Sequence, residues 1–190
     1  MSDVVPRILI FVAATVALAA VSRASLRRPR SHGFYRFFAW ECIVALVLLD
    51  FVSLREWFAD PFSIRQVASW LLLLASIAVG LAGIRELSLR GGADAAREHA
   101  GATLDFEKTT HLVTSGVFRY VRHPLYASLL LLAWGVFLKR PSGAGAALAA
   151  AATALLAATA QTEEGENVRY FGRAYADYAR RSRRFIPFVF

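Results

Sequence analysis

Residues 67–84 read VASWLLLLASIAVGLAGI, eighteen positions without a charged side chain. As a helix rising 1.5 Å per residue they extend about 27 Å, close to the roughly 30 Å hydrocarbon core of a bilayer. Working outward, four further apolar runs come near that length: 8–21 (extendable back to Val4), 37–54, 125–138 with 117–120 leading in, and 143–160. The last contains 11 Ala, 3 Leu, 2 Thr and 2 Gly. It is only weakly hydrophobic, but small residues let helices approach closely; a soluble Ala-rich helix is the alternative. The whole chain agrees with this reading. It is 57% hydrophobic and 19% charged, with mean hydropathy +0.46, which excludes a disordered acidic chain, a disulfide-stapled secreted domain and a coiled coil. The expected fold class is an all-α polytopic membrane helix bundle of about five transmembrane helices. It forms one integral domain over 1–190, with three spans and a loop in 1–110 and a helical hairpin plus tail in 111–190.

The charges test that topology. Lys and Arg number 22 against 14 Asp and Glu. Five arginines (Arg23, Arg27, Arg28, Arg30, Arg36) fall between the first two spans. Six basic residues from Arg85 to Arg122 fall between spans three and four, and six more from Arg169 to Arg184 follow span five. The alternate side receives only Arg7, Arg55, Arg65, Lys139 and Arg140. By the positive-inside rule the N-terminus is outside and the C-terminus cytoplasmic. A pI near 10.4 is thus membrane-flanking charge, and no nucleic-acid partner is expected. Met1-Ser2-Asp3 lacks the basic region of a signal peptide, so the first helix is expected to be retained. The single Cys42 has no intramolecular partner, and no Cys/His spacing suggests a metal site.

The segment 85–111, polar and carrying Gly91-Gly92 and Gly101, is the longest connection between spans. In the tail, Val168, Phe171, Tyr175 and Tyr178 recur at 3, 4 and 3 residues, one face of an amphipathic helix on the membrane surface. Pro187 would end it, and 188–190 is too short to span.

Two clusters carry chemistry. In 111–126, HLVTSGVFRYVRHPLY, Pro124 suits the first turn of a helix and biases His123 toward an extended backbone. Free N–H groups at that helix start, beside Arg119 and Arg122, suit an anion, and Gly116 permits close backbone approach. An ordinary interfacial belt of basic and aromatic residues is the alternative. The second cluster is Glu163-Glu164, directly after span five. An antiparallel pair of spans four and five brings Arg122-His123 and Glu163-Glu164 to one membrane level. Glu41 and Asp50, nine residues apart in span two, face opposite ways on a helix. Asp50 is expected to reach the headgroups. Glu41, a turn deep, is either a substrate-cavity residue or an interfacial, paired charge. His32, His99 and His111 are expected at the surface.

LVTSGVFRYVRHPLY, followed after an apolar hairpin by EEGENVRYFGRAYADYARRSRRFIP (163–187), resembles the integral membrane methyltransferases, which include isoprenylcysteine carboxyl and phospholipid methyltransferases. The resemblance covers 112–187. It implies S-adenosylmethionine as cofactor, bound on the cytoplasmic side without a Rossmann fold, and a lipophilic isoprenoid-linked or phospholipid-like acceptor. No GxGxxG occurs at a strand–helix junction. Carried over by that resemblance, Leu112, Val113 and Gly116 offer backbone contacts to the cofactor. Tyr120, His123, Pro124 and Tyr126 line its pocket, Glu163 or Glu164 binds its ribose or amino group, and Arg122 and Glu164 are nearest the acceptor. Two departures stand out. Prenylcysteine enzymes often have an arginine shortly before the Glu pair, where 157–162 here has no basic residue, and Phe118 stands where tyrosine is frequent. Competing readings are a membrane NADPH-dependent sterol-type reductase and a non-catalytic scaffold or small transporter. Abundant Ala and Arg suggest a GC-rich bacterial source and an inner-membrane location.

Overall fold

The computed structural model describes residues 4–50, 54–92 and 110–186. The described residues form helices α1 (Val4–Val21), α2 (Arg23–Leu26), α3 (His32–Asp50), α4 (Leu54–Trp57), α5 (Ile64–Arg90), α6 (Pro124–Phe137), α7 (Gly143–Phe171) and α8 (Arg173–Arg181), with a 3-10 turn at Gly116–Arg119 before α6. Four of them (α1, α3, α5, α7) are long and apolar enough to cross a membrane. The fifth apolar helix, α6, has 14 residues, or about 21 Å, and is the short member of the bundle. His99, Gly101, Pro187 and residues 188–190 lie outside the described residues.

The bundle is inside-out relative to a soluble one. On α5, Leu71, Leu74, Ile77 and Leu81 are each about 60% exposed, whereas Gln66, Ser69, Ser76 and Gly83 are buried. Leucine gains nothing by leaving lipid for protein, so contacts between helices are made by small residues and polar bonds. Ser69 Oγ donates to the Gly135 carbonyl and Ser76 Oγ to the Ser128 carbonyl, both at 2.7 Å. A Cβ at Gly83 would meet Leu125 at 3.1 Å and Pro124 at 3.2 Å. These contacts seat α6 on α5. The alanines do the same for α7: Ala149, Ala152 and Ala160 are fully buried in one cluster with Ala39, Ile43 and Leu46 of α3. The Ala-rich run is therefore a packed bundle helix. It is capped by Ser142, whose Oγ accepts from Gly145 N at 3.0 Å.

Three expectations need correction. Span two starts at His32 rather than Phe37, so Arg36 is inside α3 and only 2% exposed; it is not a loop charge. Asp50 does not reach the headgroups: it is 2% exposed, and its Oδ2 has no hydrogen-bond partner among the described residues. The tail is not one helix. α7 continues past Glu163-Glu164 to Phe171 and stops at Gly172, whose φ of +60° and ψ of −133° suit glycine alone. The chain then turns into α8, which buries Tyr175 and Tyr178 while Val168, on the other side of the break, stays 46% exposed.

Candidate functional site: a cavity at the end of the hairpin

Pro124 occupies the first turn of α6, as its fixed φ and missing N–H favour. The residues ahead of it are held by the tail. Val121 pairs with Arg183 in a single parallel bridge; Arg122 N donates to Arg183 O at 2.7 Å, His123 N to Arg184 O at 3.2 Å, and Arg183 N to Tyr120 O at 2.9 Å. The N–H groups of Arg122 and His123 are thus spent on the chain and not offered to an anion. Tyr178 adds a tie by donating to Phe118 O at 2.7 Å. Burial pushes its phenol up to about 12, so it remains a donor at any physiological pH.

On α7 the two adjacent glutamates part company, because neighbouring helical residues point about 100° apart. Glu164 is clamped. Arg122 Nε reaches its Oε1 at 2.9 Å, Arg184 Nη2 its Oε2 at 2.7 Å and Nε its Oε1 at 3.2 Å, with His123 Nε2 3.3 Å from Oε1. The bond to Glu164 is the main reason the Arg184 guanidinium is raised above its usual value. Arg122 also donates through Nη1 to the carbonyls of Ala179 (2.8 Å) and Ser182, closing the C-terminal end of α8. Glu163 faces the other way. Its Oε2 accepts from the Tyr126 hydroxyl at 2.7 Å and lies 3.8 Å from His123 Nδ1, while the His123 and Tyr126 rings stack at 5.4 Å.

Glu163 lines a cavity of about 110 Å³ that is open to its surroundings on one side. Leu112, Val113, Arg122, His123, Pro124 and Tyr126 share its wall, together with His111. Gly116 and Tyr120 are not on that wall. Gly116 has φ +57°, and a Cβ there would lie 2.5 Å from the Glu86 carboxyl carbon; what approaches this glycine is Glu86, which accepts from Ser115 Oγ at 2.8 Å. Tyr120 is 47% exposed and lies beside Arg119, Arg180, Arg181 and Arg183 on the outer surface. Glu164 is also off the cavity wall. Glu41 is not on that wall; its Oε2 accepts from Thr15 Oγ1 of α1 at 2.7 Å, and its buried Oε1 has no hydrogen-bond partner among the described residues.

Sequence reading missed the rest of the lining: His32 and Arg36 from α3, Asn167 and Phe171 from α7, Tyr175 and Tyr178 from α8. His32 is not a surface histidine but 4% exposed, with Nδ1 2.8 Å from Glu166 Oε2. One available signal was the i, i+3, i+4 spacing of Glu163, Glu166 and Asn167, which puts three polar side chains on one helical face. Burial, then the charges of Glu164 and Glu163, push the Tyr175 phenol above its usual range, so this wall is neutral there.

A helical bundle with four membrane-length helices defines an integral membrane protein, with a cavity of mixed lining at the end of its last hairpin. Within that class, the chain belongs to the phospholipid methyltransferase family: the model of that family matches residues 66–174. The match begins on α5, so the family likeness extends further toward the N-terminus than the 112–187 motifs. No curated protein and no solved structure matches the chain.

Proposed function

We propose that the protein transfers a methyl group from S-adenosylmethionine to a lipophilic acceptor, the cofactor occupying the cavity faced by Glu163. The observation that carries this reading is the division of labour on α7. Glu164 is consumed by Arg122 and Arg184, whereas Glu163 keeps a carboxylate on the cavity wall with a single short bond, from Tyr126. The donor set fits the group. A cationic amino acid moiety and ribose hydroxyls match Glu163, and the apolar Val113, Phe118 and Leu125 on the same wall suit an adenine ring.

When bound, the cofactor supplies a sulfonium methyl group; the remaining work is positioning and water exclusion by this chain's own residues. Arg122 fixes the α8 end over the cavity. Tyr126 and His123 orient Glu163. Phe118 and Tyr178 close the side next to the 3-10 turn. Gly116, Tyr120 and Glu164 act, in this reading, by shaping the frame and not by contact. The basic loops favour a cytoplasmic cavity mouth with the N-terminus outside, in a bacterial inner membrane. Residues 1–190 then form one integral domain whose 111–190 portion carries most of the cavity, and the acceptor enters from the bilayer.

The test is calorimetry with S-adenosylhomocysteine on purified full-length protein. Micromolar binding is expected, weakened at least tenfold in Glu163→Gln and about threefold in Tyr126→Phe, with no binding of NADPH. A folded protein that binds NADPH, or neither ligand, overturns the reading.

A further inference from the structure

The parallel pairing of 121–123 with 183–184 has two faces, because successive residues of an extended chain point to opposite sides. On the inner face stand Arg122 and Arg184, and both reach the Glu164 carboxylate. On the outer face stand Arg183 and, at the end of the 3-10 turn, Arg119. Together with Tyr120, Arg180 and Arg181 they line an open recess of about 190 Å³, and all five residues are exposed. The Asp177 carboxylate at its edge pairs with Arg180, and the Asp177 carbonyl accepts from Arg181 Nε at 3.3 Å. Arg119 lies over the Tyr120 ring at 5.8 Å. Arg119, Arg181 and Arg183 form no ion pair with a carboxylate among the described residues. The inner guanidiniums of this joint share an anion; the outer ones have none from the described chain.

We propose that this outer recess binds the phosphate of an anionic phospholipid, which bridges Arg119 ahead of α6 to Arg183 and the C-terminal end of α8. Guanidiniums grip phosphate oxygens through paired N–H donors. Four of them against the single Asp177 carboxylate leave three positive charges to be met. The depth fits a headgroup. Pro124 opens the apolar helix α6, so Tyr120, four residues earlier, stands at the bilayer edge, where aromatic rings and arginines meet lipid phosphates. Ile186, three residues beyond Arg183 and 54% exposed, offers an aliphatic side chain to the acyl region. The aromatic face of α8, Tyr175 and Tyr178, is buried against the protein, so the arginines of that helix meet the membrane by charge and not by insertion. The recess shares no lining residue with the cavity faced by Glu163, and the site does not depend on the methyl-transfer reading. A phosphate held there closes from outside the joint that Arg122, Arg184 and Glu164 close from inside, and so stabilises the folded chain.

The test is thermal unfolding of the full chain in nanodiscs of phosphatidylcholine alone or at about 4:1 with phosphatidylglycerol. With the anionic lipid the midpoint should rise by about 4 °C, as expected when a ligand exceeds its Kd about tenfold. Arg119→Gln/Arg183→Gln should lose most of that rise, and Arg119→Lys/Arg183→Lys, which keeps the charge, should retain about half of it or more. Arg27→Gln/Arg28→Gln removes two exposed arginines from the connection after α2 and should keep the rise whole. Native mass spectrometry of the detergent-purified chain should show one phosphatidylglycerol held about tenfold more tightly than phosphatidylcholine, a preference absent from the glutamine pair. An undiminished rise in the glutamine pair overturns the proposal, as does an equal loss in the Arg27/Arg28 pair, which would reduce the effect to diffuse charge. A lysine pair that recovers nothing overturns it too, by making the two arginines structural. An equal rise in phosphatidylcholine nanodiscs with inorganic phosphate, at matched ionic strength, overturns the lipid assignment in favour of a free anion.

Discussion

Glu164 and Lys139 are both charged side chains withdrawn from water, near opposite ends of the α6–α7 hairpin, and their surroundings differ in kind. Glu164 is met by full charges from separate segments: Arg122 ahead of α6 and Arg184 after α8, with His123 alongside. Lys139, 3% exposed, forms no ion pair with a carboxylate among the described residues. Its Nζ donates to Gln66 Oε1 at 2.9 Å and stands 3.3 Å from the centre of the Trp70 ring, with Trp57 at 5.7 Å. Gln66 is turned to receive it by donating to Ala59 O at 3.0 Å. Arg65 donates to the carbonyls of Leu138 and Lys139 and ties the same turn down. The anion is neutralised by ions gathered around an open cavity, the cation by dipoles and π faces in a closed clasp. The difference teaches where change is tolerated. An ion network beside a cavity can be rearranged by a ligand, whereas the clasp holds only its own chain.

The comparison breaks most visibly at Glu164. Glu164→Ala leaves two partly buried guanidiniums without their anion, a loss of about 3 kcal/mol for a buried pair stripped of one partner. Thermal unfolding in detergent should show a midpoint lower by roughly 6–12 °C, and S-adenosylhomocysteine binding should fall with it because the α8 end is released. A change below 2 °C would mean that the arginines find other partners and the network is ornamental. Gly116→Ala comes next. It forces a side chain into the left-handed region, at about 1–2 kcal/mol, and into the space of the Glu86 carboxylate. Expected is a destabilisation of about 2 kcal/mol with ligand affinity largely retained, since Gly116 is off the cavity wall. A selective loss of S-adenosylhomocysteine affinity at unchanged stability would return this glycine to the cofactor site.

The membrane helices were legible because a bilayer sets a length and punishes charge, so uncharged runs mark α5 and α7 without reference to any partner. The start of α6 was legible at Pro124 for an equally local reason, whereas the Ser142 cap of α7 came only from the structure. The cavity was half legible. Arg122, His123, Tyr126 and Glu163 lie in two motifs joined by a hairpin, so one antiparallel turn is enough to bring them together. His32 and Arg36 were not, because their role depends on α3 packing along α7, a choice among helices that hydropathy does not encode. The partition between Glu163 and Glu164 follows from a 100° step on a helix, yet which of the two faces the cavity is decided by the parallel pairing of 121–123 with 183–184, a contact across some 60 residues.

The clasp yields the smallest effect and the one with a sign to work out. Burial first, then the nearby Arg65 charge, push the Lys139 ammonium down to about 8, while the indole faces favour its charged form and limit the consequence. The unfolded chain keeps that proton up to about pH 10.4. Between those values unfolding takes up a proton, so stability rises with pH across the window and the cost of burying the charge is fully present below pH 8. Urea unfolding of the wild type in detergent should therefore gain on the order of 1 kcal/mol between pH 8 and pH 10 relative to Lys139→Met, whose side chain has no proton to exchange. A flat difference between the two would mean that the indoles hold the ammonium charged throughout, and that the clasp neutralises its cation as completely as the arginines neutralise Glu164.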